Sequence, residues 1–219
     1  MAGVIALPKA VVFDFDGTIV DTETPPFLCA RNEFARHGLE LTLEAWQVRL
    51  GRTDLPHWTE WLERAVGTPI DRDEIRSRVL EEKNRLTATQ PVREGVVALI
   101  ERCHDLGVAV AVASSSQAEW VHPNLRARNL FDHFATIVTR TDRIRSKPAP
   151  DSYRHACALL GVHPGDALAI EDSPNGLLAA TSAGVRCVVV PNEMTRGMEF
   201  TTAEAVVNSC AEIAFARGR

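Results

Sequence analysis

Apolar residues in this chain fall into short unbroken runs in some places and into helix-spaced patterns in others. Ala10-Val11-Val12-Phe13, residues 108–113, residues 167–170 and residues 185–190 are unbroken apolar or nearly apolar runs. Three of them stop abruptly at polar residues: Asp14 after the first, Ser114-Ser115-Ser116 after the second, Glu171-Asp172 after the third. Short apolar runs bounded in this way read as strands buried on both faces of a parallel sheet. Between them lie amphipathic stretches predicted as helices over 92–106, 118–129, 151–160 and 173–183. Gly107, Gly161 and Gly184 serve as stop signals for three of these. A further strand is expected over 134–139. The tail, 201–216, reads as one short strand and a last helix, and residues 1–9 as a short leading tail. Regular alternation of strand and helix predicts an α/β fold, a doubly wound parallel sheet with a Rossmann-like core.

The pattern changes between Asp21 and Gln90, where strand-like runs almost vanish. Pro25 and Pro26 suit the start of a helix that stops at His37-Gly38. A second is expected from Thr42 to near Gly51, a third from Asp54 or Pro56 toward Gly67, and a fourth from Asp71 to Leu86, with acids at its start. Trp46, Trp58 and Trp61 recur at helical spacing and read as the core of this segment. The expected organisation is a core made of residues 1–21 and 91–219, with a small helical cap, residues 22–90, inserted after the first strand.

Composition narrows the picture. A chain of 219 residues with 45% hydrophobic content can bury a sizeable core. The net charge of -5 gives no whole-protein field for nucleic acid. No window approaches the length of a membrane span, and the N-terminus lacks the basic start of a signal peptide, so a cytoplasmic protein without a membrane partner is expected. The five cysteines are scattered without CxxC spacing and read as buried thiols in a reducing compartment. The seven histidines carry no metal-binding spacing.

The chemistry concentrates at strand ends. Right-handed crossovers bring the carboxyl ends of parallel strands to one edge, where open α/β sheets bind their ligands. Asp14 and Asp16 end the first strand, one residue apart and followed by Gly17. Two such carboxylates repel, so they call for a cation or a shared proton, although an Asp-Gly turn also explains them. Ser114 and Asp172 taken singly read as helix caps, and Lys147, in the proline-stiffened Ser146-Lys147-Pro148-Ala149-Pro150-Asp151, as a loop lysine. In this order, all at one sheet edge, they fit one chemical task.

These residues resemble a known family. Asp14-Phe15-Asp16-Gly17-Thr18, the Ser114 strand end, Lys147 in Ser-Lys-Pro-Ala-Pro-Asp, and Glu171-Asp172-Ser173 match the haloacid dehalogenase-like hydrolase superfamily. The helical insertion matches its capped subgroup, and Asp21-Thr22-Glu23 and Asn175-Gly176 resemble the members that include beta-phosphoglucomutase and many small-molecule phosphatases. The resemblance implies Asp14 as nucleophile forming an aspartyl phosphate, and Asp16 as general acid and then base. Mg2+ would be held by Asp14, the backbone carbonyl of Asp16, and Asp172, with Glu171 behind them or acting through water. Ser114, the backbone N–H of Ser115, and Lys147 would hold phosphate oxygens. The cap is expected to close over the sheet edge and choose the substrate, with Arg52 the first residue to read it, and Thr53, His57 and Lys83 as further candidates.

Asp16 argues against dehalogenation. Pro26 stands where beta-phosphoglucomutases carry a histidine, and Leu50-Gly51-Arg52-Thr53-Asp54 lacks their cap lysine. The resemblance therefore implies a magnesium-dependent phosphatase of a small phosphorylated metabolite, monomeric or homodimeric. A sugar-phosphate mutase and a non-catalytic phosphate-binding module are the alternatives.

Overall fold

The computed structural model describes residues 4–50 and 55–216. The chain divides into two compact units, Met1–Val20 with Pro91–Arg219, and Asp21–Gln90.

The first unit begins with β1 (Val4–Ala6) and β2 (Ala10–Phe13). The second unit holds α1 (Thr24–Arg36), α2 (Leu43–Gln47), α3 (Trp58–Val66) and α4 (Arg72–Ala88). The chain then returns to the first unit with α5 (Val96–Asp105), β3 (Ala109–Ala113), α6 (Ala118–Ala127), β4 (Thr136–Val138) and α7 (Asp151–Leu160). It ends with β5 (Ala167–Glu171), α8 (Pro174–Ser182), β6 (Arg186–Val189), β7 (Ala205–Val206) and β8 (Ala214–Ala216).

Six strands form one sheet in the order β4-β3-β2-β5-β6-β7, parallel at every pairing. Side chains alternate across it with the strand period of two. Val11 and Phe13 pack on one face with Val110, Val112, Leu168 and Ile170, under Leu99 and Ile100 of α5 and Val121 and Leu125 of α6. Ala10 and Val12 face the other way with Ala111, Ala113 and Ala169, under Tyr153 and Ala156 of α7 and Leu177 and Ala180 of α8. Register follows from this burial, since a one-residue slip would exchange the two faces. Phe13 pairs with Val112 on one side and Ile170 on the other, so Asp14 emerges level with Ala113 and Glu171. That places the strand-end residues beside one another.

In the helical unit, Phe34 meets Trp58 and Trp61 at ring-centroid distances of 6.5 and 5.1 Å, and Phe27 meets Trp46 at 6.0 Å. The tryptophans thus pack against helix α1, as their spacing predicts.

Several boundaries differ from the sequence expectation. Residues 4–6 are not a loose tail: β1 pairs in parallel with β8 as a separate two-stranded sheet. The expected last helix is absent among the described residues. A single 3-10 turn at Cys210–Glu212 is followed by β8, because Val4–Ala6 offers an apolar strand to pair with. Helix α5 starts at Val96 rather than Val92, because Gly95 takes φ 79° and breaks the helical path. A side chain there would also meet Ala211 N at 2.1 Å. Helix α2 ends early, at Gln47. Helix α3 begins at Trp58, capped by His57, whose Nδ1 accepts from Thr59 N at 3.3 Å. The Asp54 start lies outside the described residues.

Candidate active site

Four loops at the carboxyl ends of β2, β3, β5 and β6, together with the segment before α7, build the site. Asp14 continues β2: its N–H donates to Ile170 O at 2.9 Å, which ties the residue to β5. Lys147 lies between β4 and α7, before a cis Pro148. Its N–H donates to Ser115 Oγ at 3.0 Å, so the Ser115 hydroxyl anchors the backbone of the lysine loop.

The Lys147 ammonium pairs with Asp14 and donates to Glu171 Oε1 at 2.6 Å and Tyr153 Oη at 3.3 Å. Tyr153 in turn donates to Glu171 Oε1 at 2.7 Å. Glu171 Oε2 accepts from Asp172 N at 3.1 Å and Ser173 Oγ at 3.3 Å. Glu171 therefore acts as a fully buried acceptor that orients its neighbours. Burial pushes the Asp14 carboxyl up to about 8, with Lys147 opposing and the Glu171 and Asp16 charges adding to the rise. Burial alone would lower Lys147, yet the Asp14 and Glu171 carboxylates outweigh it and hold the ammonium charged. Burial, then Glu171 and Asp14, also keep the Tyr153 hydroxyl protonated.

Asp172 follows Glu171 at the end of β5, beside Asp14 at the end of β2, and one carboxylate oxygen from each of the three lies within 4.8 Å of the others. Asn192 Nδ2 donates to Asp172 Oδ2 at 2.6 Å, and Thr18 Oγ1 to Oδ1 at 3.4 Å. A Cβ on Gly17 would stand 2.3 Å from Asp172 Oδ2, so glycine is required where the first loop passes the carboxylate. Burial and the neighbouring carboxylates disfavour charge on Asp14, a penalty that a cation would offset, and Asp14 and Asp172 offer hard oxygen donors beside a Glu171 whose own oxygens are already bonded. That combination fits a divalent ion of the magnesium type.

The Asp16 carboxylate stands apart from this trio. Its Oδ2 accepts from Ser116 Oγ at 2.6 Å and Ser114 Oγ at 3.3 Å, and its Oδ1 from Trp120 Nε1 at 2.8 Å. Ser114 is buried and also accepts from Ser116 N at 2.9 Å.

The structure thus brings Asp14, Lys147, Glu171 and Asp172 together, with Ser115 bonded to the Lys147 backbone and Asp16 bonded to Ser114. Arg52 lies outside the described residues, as does Thr53. His57 caps α3 within the helical unit, and Lys83 belongs to α4. The sequence reading missed Ser116, Trp120, Tyr153 and Asn192. Asn192 was within reach of the same logic, since it lies in the loop just beyond the end of β6, at the same sheet edge. Arg93 was also missed; its guanidinium donates to the carbonyls of Gly17, Val190 and Pro191 and so fixes the first loop against the β6 end.

The family model for haloacid dehalogenase-like hydrolases matches residues 8–184. YhcW of Bacillus subtilis (strain 168), provisionally named a phosphatase, is 37% identical over 208 residues, covering 95% of this chain and 94% of its own. Hexitol phosphatase B of Escherichia coli (strain K12) is 28% identical, covering 93% of each chain. The crystal structure of CbbY from Rhodobacter sphaeroides with phosphate superposes at a TM-score of 0.72 and 31% identity, covering 95% of this chain and 97% of the other. An aspartate-to-asparagine mutant of the same CbbY was crystallised with xylulose-(1,5)bisphosphate.

Proposed function

The chain belongs to the haloacid dehalogenase-like hydrolases, and from that membership we propose a magnesium-dependent phosphatase that hydrolyses a small phosphomonoester through an aspartyl phosphate on Asp14. The observation that carries this reading is the Lys147 ammonium paired with Asp14 beside Asp172. A carboxylate nucleophile must approach a phosphate dianion, and it can do so only where positive charge offsets the repulsion.

Asp14 attacks phosphorus in line while Ser114, the Ser115 N–H and Lys147 hold the phosphoryl oxygens. Asp16, bonded to Ser114 and Ser116 rather than to the acid trio, protonates the departing alkoxide. It then takes the proton of the water that attacks the phosphorus of the aspartyl phosphate, releasing phosphate and restoring Asp14. Asp14, Asp172 and the main-chain carbonyl of Asp16 would hold the magnesium ion, which would supply positive charge to the phosphoryl oxygens. The sugar bisphosphate crystallised with CbbY and the name of hexitol phosphatase B support a phosphorylated sugar or sugar alcohol as substrate class. No helix among the described residues is long and apolar enough to cross a membrane.

The test is phosphate release from a panel of sugar and polyol phosphates, with magnesium and after chelation. Turnover that needs magnesium is expected. Absence of turnover across the panel at saturating magnesium would overturn the reading.

A further inference from the structure

The two oxygens of the Asp16 carboxylate are held by different kinds of donor. Oδ2 accepts from two serine hydroxyls, Ser116 at 2.6 Å and Ser114 at 3.3 Å, whereas Oδ1 accepts from the indole N–H of Trp120 at 2.8 Å. A hydroxyl rotates and can accept a hydrogen bond as readily as it donates one, but an indole N–H only donates. A proton on Oδ1 would confront that N–H and break its bond. A proton on Oδ2 is accommodated by turning a serine hydroxyl.

Trp120 is itself held in place. It lies in the first turn of α6, its main-chain N–H donates to Gln117 O at 3.0 Å, and its ring packs against the apolar core of the sheet. The indole is therefore a fixed reference and the serines are adjustable partners.

Resting on the phosphatase reading above, we propose that Trp120 is a positioning residue that confines the transferable proton of Asp16 to Oδ2 and keeps that oxygen at the Ser114–Ser116 end of β3, where phosphate is bound. In the transfer step an Asp14 oxygen forms a bond to phosphorus and the bond from phosphorus to the ester oxygen breaks. The electron pair stays on the ester oxygen, which takes the proton from Oδ2. Asp16 is left as a carboxylate whose Oδ1 still accepts from Trp120. Loss of the indole N–H removes the bond that disfavours a proton on Oδ1, so the proton is no longer confined to Oδ2.

The experiment compares kcat/KM for phenyl phosphate, whose leaving group needs a proton, with that for 2,4-dinitrophenyl phosphate, whose leaving group does not. Trp120→Phe should lower the phenyl phosphate value by about 10-fold or more and the dinitrophenyl value by less than about twofold, because only the first depends on general acid catalysis. A variant with 3-benzothienylalanine at position 120 keeps the ring shape and replaces only the N–H, so it should show the same split even if the phenylalanine variant folds poorly. Equal losses on both esters, or no loss on either, would overturn the inference. Failure of the unmutated protein to hydrolyse either ester would instead strike the phosphatase reading, and this inference with it.

Discussion

Glu171 Oε1 lies 2.6 Å from Lys147 Nζ, with the Glu171 side chain fully buried and that of Lys147 only 6% exposed. The same ammonium pairs with Asp14. A carboxylate behind the lysine thus fixes where its charge meets the reacting group, and a single ammonium serves two acids. Glu171→Ala leaves Lys147 paired with Asp14 but strips the acceptor from the buried Tyr153 hydroxyl and the Asp172 N–H, and should destabilise the fold by about 1–3 kcal/mol in urea denaturation. Gly176→Ala reaches the same point by another route, since its Cβ would come within 1.9 Å of the Glu171 carboxylate. It should lower stability and turnover together. Wild-type values for both in the glycine variant would show that Glu171 can move without consequence.

Asp14→Asn removes the nucleophile while keeping the shape of the side chain. Turnover of any phosphomonoester should fall to background, while phosphate binding, measured by calorimetry, should persist through Lys147 and the β3 loop. Retained turnover would remove Asp14 from the mechanism.

Asn192 holds Asp172 in place through its 2.6 Å bond. Its own Oδ1 is fixed by Met194 N at 2.8 Å and Thr195 N at 3.1 Å, so the amide orientation follows from its surroundings. Partners that orient a metal ligand matter by roughly 10- to 100-fold in affinity. Asn192→Ala should raise the magnesium concentration for half-maximal activity by about that factor, and Asp172→Ala by more. An unchanged magnesium requirement in both variants would count against Asp172 as a ligand.

All five cysteines are buried and unpaired, and burial raises the pKa of each thiol, that of Cys103 and of Cys210 to about 12. A raised pKa leaves almost no thiolate at pH 8, and the thiolate is the reactive form. Titration with Ellman's reagent at pH 8 should find no rapidly reacting thiol in the native protein and five after unfolding. A fast-reacting native thiol would reveal a more open interior.

Much of this arrangement is legible in the sequence because burial on both sheet faces writes itself as unbroken apolar runs. Where such a run ends, the chain leaves the sheet, which is why Asp14, Ser114 and Asp172 could be placed at one edge. Lys147 came from its stiff loop and from the family resemblance. Trp120 and Tyr153 were not legible, because an aromatic residue on a helix reads as core and its polar atom leaves no trace in the pattern. Tyr153 is indeed core by its ring; only its hydroxyl belongs to the site. The β1–β8 pairing was missed for a related reason. Two three-residue strands are too short to show a period, and only their meeting across nearly the whole chain makes them strands.

The central claim is a phosphoryl group carried on Asp14. Borohydride added during turnover reduces an aspartyl phosphate and leaves a free aspartate untouched, so mass spectrometry of the peptide containing Asp14 reads the claim directly. Modification of Asp14 that accumulates only while a phosphomonoester is being hydrolysed, and that Asp14→Asn abolishes, is the predicted result. Continued phosphate release with Asp14 unmodified throughout would contradict it.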